Sequence, residues 1–347
     1  MIYLYGAYYD NRILEPQRPV VRLLAIMNTA KGLPQTTCQF WFDEQDTPVF
    51  SHASYSYIWD KQWNFQNDRD LKPYVVPKSH RHLIYNLPEK GTQQEFAVCV
   101  KGFDFYFQDN TKRLVEWLEL LSALGAHKVF YYSLSMNAKM EKMMKYYEVR
   151  GLVEVIPTTL PASQPNVPGL FYKYVLVKDK FQHEVIQFND CYYRNLYRYK
   201  YTVHLDTDEA IVPRFATTWQ GLVQTVTTKS AKDNLTYVSF CARHPFYMDH
   251  MRPSQEWLKA EALHVHNHVP LLALGEMYPF TYNILTQDAQ LIHYRQNCQK
   301  YVTNCYETFK RFTVFDHIVW KYKDTLITKV DKTFSDLGYC RDTLARD

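Results

Sequence analysis

The feature that most limits how this chain can fold is a change of rhythm between residues 95 and 157, where strand-like and helix-like periods alternate. Residues 95–101 read as a strand with Val98 and Val100 on one face. Asp109 or Asn110 then caps a helix in which Leu114, Trp117, Leu118 and Leu121 recur at helical spacing until Gly125 ends it. Residues 128–133 read as a buried strand, 137–150 as a second helix closed by Gly151, and 152–157 as a third strand. Parallel neighbours need crossover connections, and helices at those crossovers cover both faces of the sheet. The pattern therefore predicts an α/β fold with a mainly parallel, mixed sheet and flanking helices. Ligands of such sheets bind beyond the carboxyl ends of the strands. Lys101, Tyr132 and Ser133 are expected on that rim.

A later strand brings acids to the same rim. Residues 187–213 begin basic and amphipathic, with Asn189-Asp190-Cys191 followed by Arg194, Arg198 and Lys200. Residues 201–205 alternate as a strand and end abruptly in Asp206-Thr207-Asp208-Glu209; apolar residues resume at Ala210 and stop at Pro213. Side chains alternate across a strand, so Asp206 and Asp208 share a face if the strand continues. Two such carboxylates can hold one hard divalent cation and leave positions open for phosphate oxygens. Acids after a strand also serve as turn residues, and Asp68-Arg69-Asp70, with no strand leading in, reads that way. Asp190 and Arg194 lie one helical turn apart on one face. A ligand contact competes there with an ordinary surface ion pair.

The flanking segments carry less chemistry. Residues 1–90 form a β-rich module of short aromatic runs at 2–9, 20–27, 36–42 and 49–59, whose role is packing. The stretch 157–168 is a Pro-rich surface loop near the site. A helix is expected over 215–229, a strand over 235–242, and a helical tail over 301–324. His264, His266 and His268 invite a zinc reading, ranked below a strand or turn with a surface pair of histidines. His293 closes the apolar run 289–292 and precedes Tyr294-Arg295. Lys+Arg 40 against Asp+Glu 36 is nearly balanced, so no nucleic-acid footprint is indicated. The seven cysteines include no CxxC pair and leave the redox compartment open. Asn234-Leu235-Thr236 is a single glycosylation triplet. No apolar run is long enough to span a bilayer, and the first residues lack the charged start and apolar centre of a signal peptide.

Several separate strings, in order, resemble glycosyltransferase family 92. They are Gly6-Ala7-Tyr8-Tyr9-Asp10-Asn11-Arg12, Cys99-Val100-Lys101, Glu116-Trp117-Leu118-Glu119, Leu124-Gly125, Val129-Phe130-Tyr131-Tyr132, Asn189-Asp190-Cys191 with the strand and DxDE, and Ala289 through His293-Tyr294-Arg295. The resemblance implies a GT-A fold over residues 91–325, between the β-rich module at 1–90 and a C-terminal tail at 326–347. It implies a metal-dependent, inverting hexosyltransferase that moves galactose from UDP-galactose to a glycan acceptor, with Mn2+ or another divalent cation. Asp206, Asp208 and His293 are then the metal ligands, and Lys101, Asp190, Arg194, Asp206, Asp208 and Arg295 face the donor. Inversion needs a carboxylate to take the acceptor's proton. Glu276 and Asp249 are the candidates because they lie between the DxD and HYR strings. The family also implies the lumenal side of the Golgi membrane, through an anchor this chain does not carry. A metal-dependent hydrolase of phosphate or glycosidic bonds, or an inactive glycan-binding protein, are the alternatives.

Overall fold

The computed structural model describes residues 2–12, 20–28, 33–41, 45–58, 71–77, 91, 93–161, 164–171, 173, 177–233, 237, 239–242, 255–259, 262–266, 269–273, 281–293 and 317–339. Its centre is a seven-stranded sheet. Four of its strands are β7 (Gln94–Phe105), β8 (Lys128–Met136), β9 (Val153–Pro157) and β10 (Tyr199–His204). They lie side by side in the order β10, β7, β8, β9, all parallel. Beyond β10 the sheet continues through β13 (Gln255–Lys259), β12 (Ser239–Ala242) and β16 (Thr281–Ile284). β13 is antiparallel to both its neighbours, which makes the sheet mixed.

The two faces of this sheet receive different helices because its side chains alternate. Phe96, Val98 and Val100 share a core with α1 (Thr111–Leu124), α2 (Ala138–Val149) and α4 (Trp219–Ser230). Ala97 and Cys99, with Phe130 and Tyr132, face α3 (Val177–Asn195) instead. Local signals set the helix ends. Asn137 caps α2 through Met140 N–H, Thr218 caps α4 through Gly221 N–H, and Gly125 ends α1 at φ 100°.

α3 runs antiparallel along β7. Gly102 N–H donates to Gln187 Oε1, a disulfide joins Cys99 to Cys191, and Gln93 Nε2 donates to Leu196 O. The disulfide pairing had no signal in the cysteine spacing; only the packing of α3 on β7 brings those thiols together. On its other side α3 meets an N-terminal antiparallel sheet in the order β1, β2, β6, β5. Its strands are β1 (Ile2–Asp10), β2 (Val20–Asn28), β6 (Leu71–Pro77) and β5 (Ser56–Tyr57). Tyr8, Leu24, Ile26 and Val75 pack with α3 in one core.

Several boundaries differ from those read in the sequence. The run expected at 49–59 divides into β4 (Val49–His52), paired with β3 (Thr37–Phe40), and β5, which joins another sheet. β6 was not expected, because Pro73 and Pro77 broke its pattern. Here Pro73 accepts from Ile58 N–H through its carbonyl, at an antiparallel ladder that tolerates its missing donor. A helix at Lys323–Asp336, here α5, follows the tail expected over 301–324, of which residues 301–316 lie outside the described residues. Val330, Phe334 and Leu337 join the main core, and Thr333 and Tyr147 both donate to Glu119. Residues 323–337 are thus an integral layer over α1 and α2.

Candidate functional site

The carboxyl end of β10, paired with β7 up to Cys99, opens into a short acidic turn. β10 ends at His204, whose ring stacks on Phe188 of α3 with centroids 4.7 Å apart. Leu205 N–H then donates to Cys99 O, and residues 206–209 reverse the chain into β11 (Glu209–Pro213). Glu209 N–H donates to Asp206 O at 3.1 Å, and Asp206 N–H donates to Glu209 Oε2 at 3.0 Å. Two indoles hold the exit: Trp117 of α1 donates to Glu209 O at 2.6 Å, and Trp219 of α4 donates to Ile211 O at 2.7 Å. Asp206 and Asp208 lie in this turn, not on the continuing strand that their alternation required, because β10 ends at His204. The i→i+3 hydrogen bond from Glu209 N–H to Asp206 O closes that turn.

Lys101 crosses to the turn from β7. Its Nζ lies 3.3 Å from Asp206 Oδ1 and 3.3 Å from Glu184 Oε2 of α3. Burial opposes its charge, but Asp206, Glu184 and Glu209 together raise the ammonium pKa above its ordinary value. Glu209 is pushed the other way. Burial first, then the Asp206 and Asp208 carboxylates, carry its pKa up to about 8, against the opposing pull of the Asp206 backbone N–H and of Lys101. The turn therefore holds more negative charge than one lysine balances. Its acids also differ in access: the Asp206 side chain is 34% exposed and Glu184 4%.

Among the described residues no group of three or more carboxylate, imidazole or thiol side chains converges as a finished metal cage. The donors fit a hard divalent cation by type and by charge, since Asp206, Asp208 and Glu209 offer oxygen ligands in a negative field. The backbone supplies one further placement. β11 pairs with β17 (Ala289–His293), and Glu209 stands directly opposite His293 in that ladder. His266 belongs to a hairpin of β14 (Ala262–His266) with β15 (Val269–Ala273), opposite Val269. Arg295, Asp249, Glu276, the triplet at Asn234 and the Asp68–Asp70 pair lie outside the described residues.

The structure places Asp190 and Arg194 away from the rim. α3 descends from that rim, so Asp190 is roughly 9 Å and Arg194 roughly 15 Å further along the helix axis than Glu184. Asp190 is buried and accepts from Tyr8 of β1, from Tyr132 of β8 and from Arg194 Nε at 2.9 Å. The expected donor-side position thus gives way to a joint between two sheets. Tyr132 is likewise an inward-facing member of that joint rather than a rim residue; burial and Asp190 raise both tyrosine pKa values.

Three positions that hold these elements together had no role in the sequence reading. Glu209 was visible only as the end of the DxDE string. Glu184 shares a helix face with Gln187 and Cys191 at spacings of three and seven, a signal that could have found it. Asp104 fastens the Pro-rich loop. It accepts from Ser135 Oγ, from Gly169 N–H at 2.9 Å and from Phe171 N–H at 3.1 Å, while Asn166 closes the loop onto Leu160. Gly169 has φ 74°, and a Cβ there would meet the Phe107 ring at 2.5 Å, so both conformation and space require glycine.

Residues 94–330 match the model of glycosyltransferase family 92, well over half of the chain. The chain is also similar to beta-1,4-galactosyltransferase galt-1 of Caenorhabditis elegans, with 28% identity over 152 residues. That alignment covers 42% of this chain and 33% of the relative, so the chain spans about a third of that protein's length.

Proposed function

The chain belongs to glycosyltransferase family 92, and from that membership we propose that it is a metal-dependent, inverting hexosyltransferase moving galactose from UDP-galactose to a glycan. The observation that carries this reading is the acidic turn at residues 206–209 with Lys101 against it, at the carboxyl end of a parallel strand. The name of the galactosyltransferase relative supports the choice of sugar.

When a glycosidic bond to a nucleoside diphosphate breaks, charge builds on the departing β-phosphate. A divalent cation such as Mn2+ supplies Lewis-acid neutralisation of that charge. Asp206 and Asp208 would hold it, and His293 is proposed as the third protein ligand because its backbone stands opposite Glu209. Glu209 and the two indoles keep the turn in one conformation, so the ligands are oriented before the donor arrives. Lys101 and Arg295 are the proposed partners of the donor's phosphates. Either Glu276 or Asp249 would take the acceptor hydroxyl's proton as that oxygen attacks the anomeric carbon from the face opposite the leaving group.

The lumenal Golgi placement is supported by the buried Cys99–Cys191 disulfide, since such bonds persist in oxidising compartments. Among the described residues no helix is long and apolar enough to cross a membrane. The test is incubation of the full chain with a panel of UDP-sugars and glycan acceptors, with and without Mn2+. Galactose transfer that stops in EDTA is expected. Release of free sugar or phosphate without acceptor would instead establish the hydrolase alternative.

A further inference from the structure

We propose that Lys101 is a resident counter-cation of the acidic turn, and that Glu184 is the seat to which it withdraws when a divalent cation arrives; this rests on the metal-dependent reading above. The lysine is placed between two carboxylates of unequal character. Its Nζ is 3.3 Å from each, and both oxygens it faces are shut off from solvent, but the Asp206 side chain as a whole is 34% exposed while Glu184 is 4% exposed and set in the face of α3 against β7. An exposed carboxylate can exchange an internal cation for one from solution. A buried carboxylate cannot be left alone without a large desolvation penalty. Of the two contacts, the one with Asp206 is therefore the one that gives way.

The surroundings permit that shift. Lys101 lies over the Phe188 ring, with Nζ 5.9 Å from its centroid, so its stem is supported when the Asp206 contact breaks. The other cation at Glu184 is Lys180, 3.7 Å away and 41% exposed, a weaker partner than Lys101. In the metal-free turn Lys101 offsets part of the repulsion among Asp206, Asp208 and Glu209. A divalent cation replaces it there, and the lysine stays close on Glu184. Glu184 is thus a positioning residue, acting on the metal site through Lys101.

The two residues then affect metal affinity in opposite directions, and the double variant separates an action of Glu184 through Lys101 from the field of Glu184 itself. Mn2+ binding to the full chain, without donor, is read by the electron paramagnetic resonance of free Mn2+. Thermal unfolding in EDTA monitors the fold. Lys101→Met removes the competing charge and should bind Mn2+ about tenfold more tightly. Glu184→Gln commits the lysine to Asp206 and should bind about tenfold more weakly. The double variant carries no unpaired buried carboxylate, so it remains testable if Lys101→Met fails to fold. It should bind more tightly than wild type and match Lys101→Met, because no lysine is left to redirect.

Lys101→Met or the double variant binding no more tightly than wild type overturns the proposal. So does a double variant weakened by the full Glu184→Gln factor relative to Lys101→Met, since Glu184 would then act by its own field. Wild type that binds Mn2+ no better than Asp208→Ala overturns the metal reading itself, and the lysine proposal falls with it. With that control intact, failure of the Lys101 and Glu184 variants sinks the lysine proposal alone.

Discussion

Asp190 and Asp206 lie sixteen positions apart and both come from the string most characteristic of this chain, yet the fold treats them in opposite ways. Asp190 is buried and accepts from Tyr8, Tyr132 and Arg194, so its charge is answered within the protein. Asp206 opens to solvent beside Asp208 and Glu209, where one lysine faces several carboxyl groups. A satisfied acid joins elements. An acid left in excess charge is available to a ligand. The comparison teaches that role follows the ratio of cations and donors to carboxylates, which residue type alone does not reveal.

The comparison breaks most sharply at the acidic turn. Asp208→Ala should lower transfer at least about a thousandfold, with thermal unfolding within a few degrees of wild type. Retained activity, in that variant or in EDTA, would remove the functional half of the contrast. The link between the two acids is next. Cys191→Ala opens a bridge across 92 residues of sequence, and loss of that constraint should cost about 4 kcal/mol in denaturant unfolding.

Asp190→Ala should cost about 3 kcal/mol, because it leaves two buried hydroxyls and a guanidinium without their acceptor. Its Mn2+ affinity should stay within about twofold of wild type if the joint and the turn are as separate as their positions indicate. A large loss of affinity in a stable protein would return Asp190 to the donor site.

His183 of α3 adds a third case, a buried base whose charged form is disfavoured. Tyr5 and Gln164 flank its ring, and burial lowers its pKa to about 4. A depressed histidine favours the fold above the unfolded value near 6.5, and that stability is lost as pH falls toward 4. At pH 5 the loss should be about 2 kcal/mol, and His183→Gln should flatten the acid limb of the stability curve. The smallest effect is expected of Tyr132→Phe. It removes one of several donors to Asp190 and should cost about 1 kcal/mol, with no change in metal binding.

The parallel core was legible because its signals are local. Helical spacing in residues 114–121, the glycine stop at Gly125, and the alternation of Val98 with Val100 each depend on a few neighbouring residues. β6 was hidden by its prolines, and β5 joins its sheet by only two residues, so neither announces itself in a short window. The acidic turn was visible as a string, and its position at a strand end followed from the rule for such sheets.

The sequence by itself determined the strand–helix order, the rim on which Asp206 and Lys101 lie, and the family resemblance of the strings that carry them. Tertiary structure alone decided that Cys99 meets Cys191, that Asp190 is enclosed by Tyr8 and Tyr132, and that Glu184 shares Lys101 with Asp206. Periodicity records which face a residue occupies. Which distant side chain stands against that face depends on how whole elements stack, and in a buried setting that neighbour sets the cost and the use of a charge.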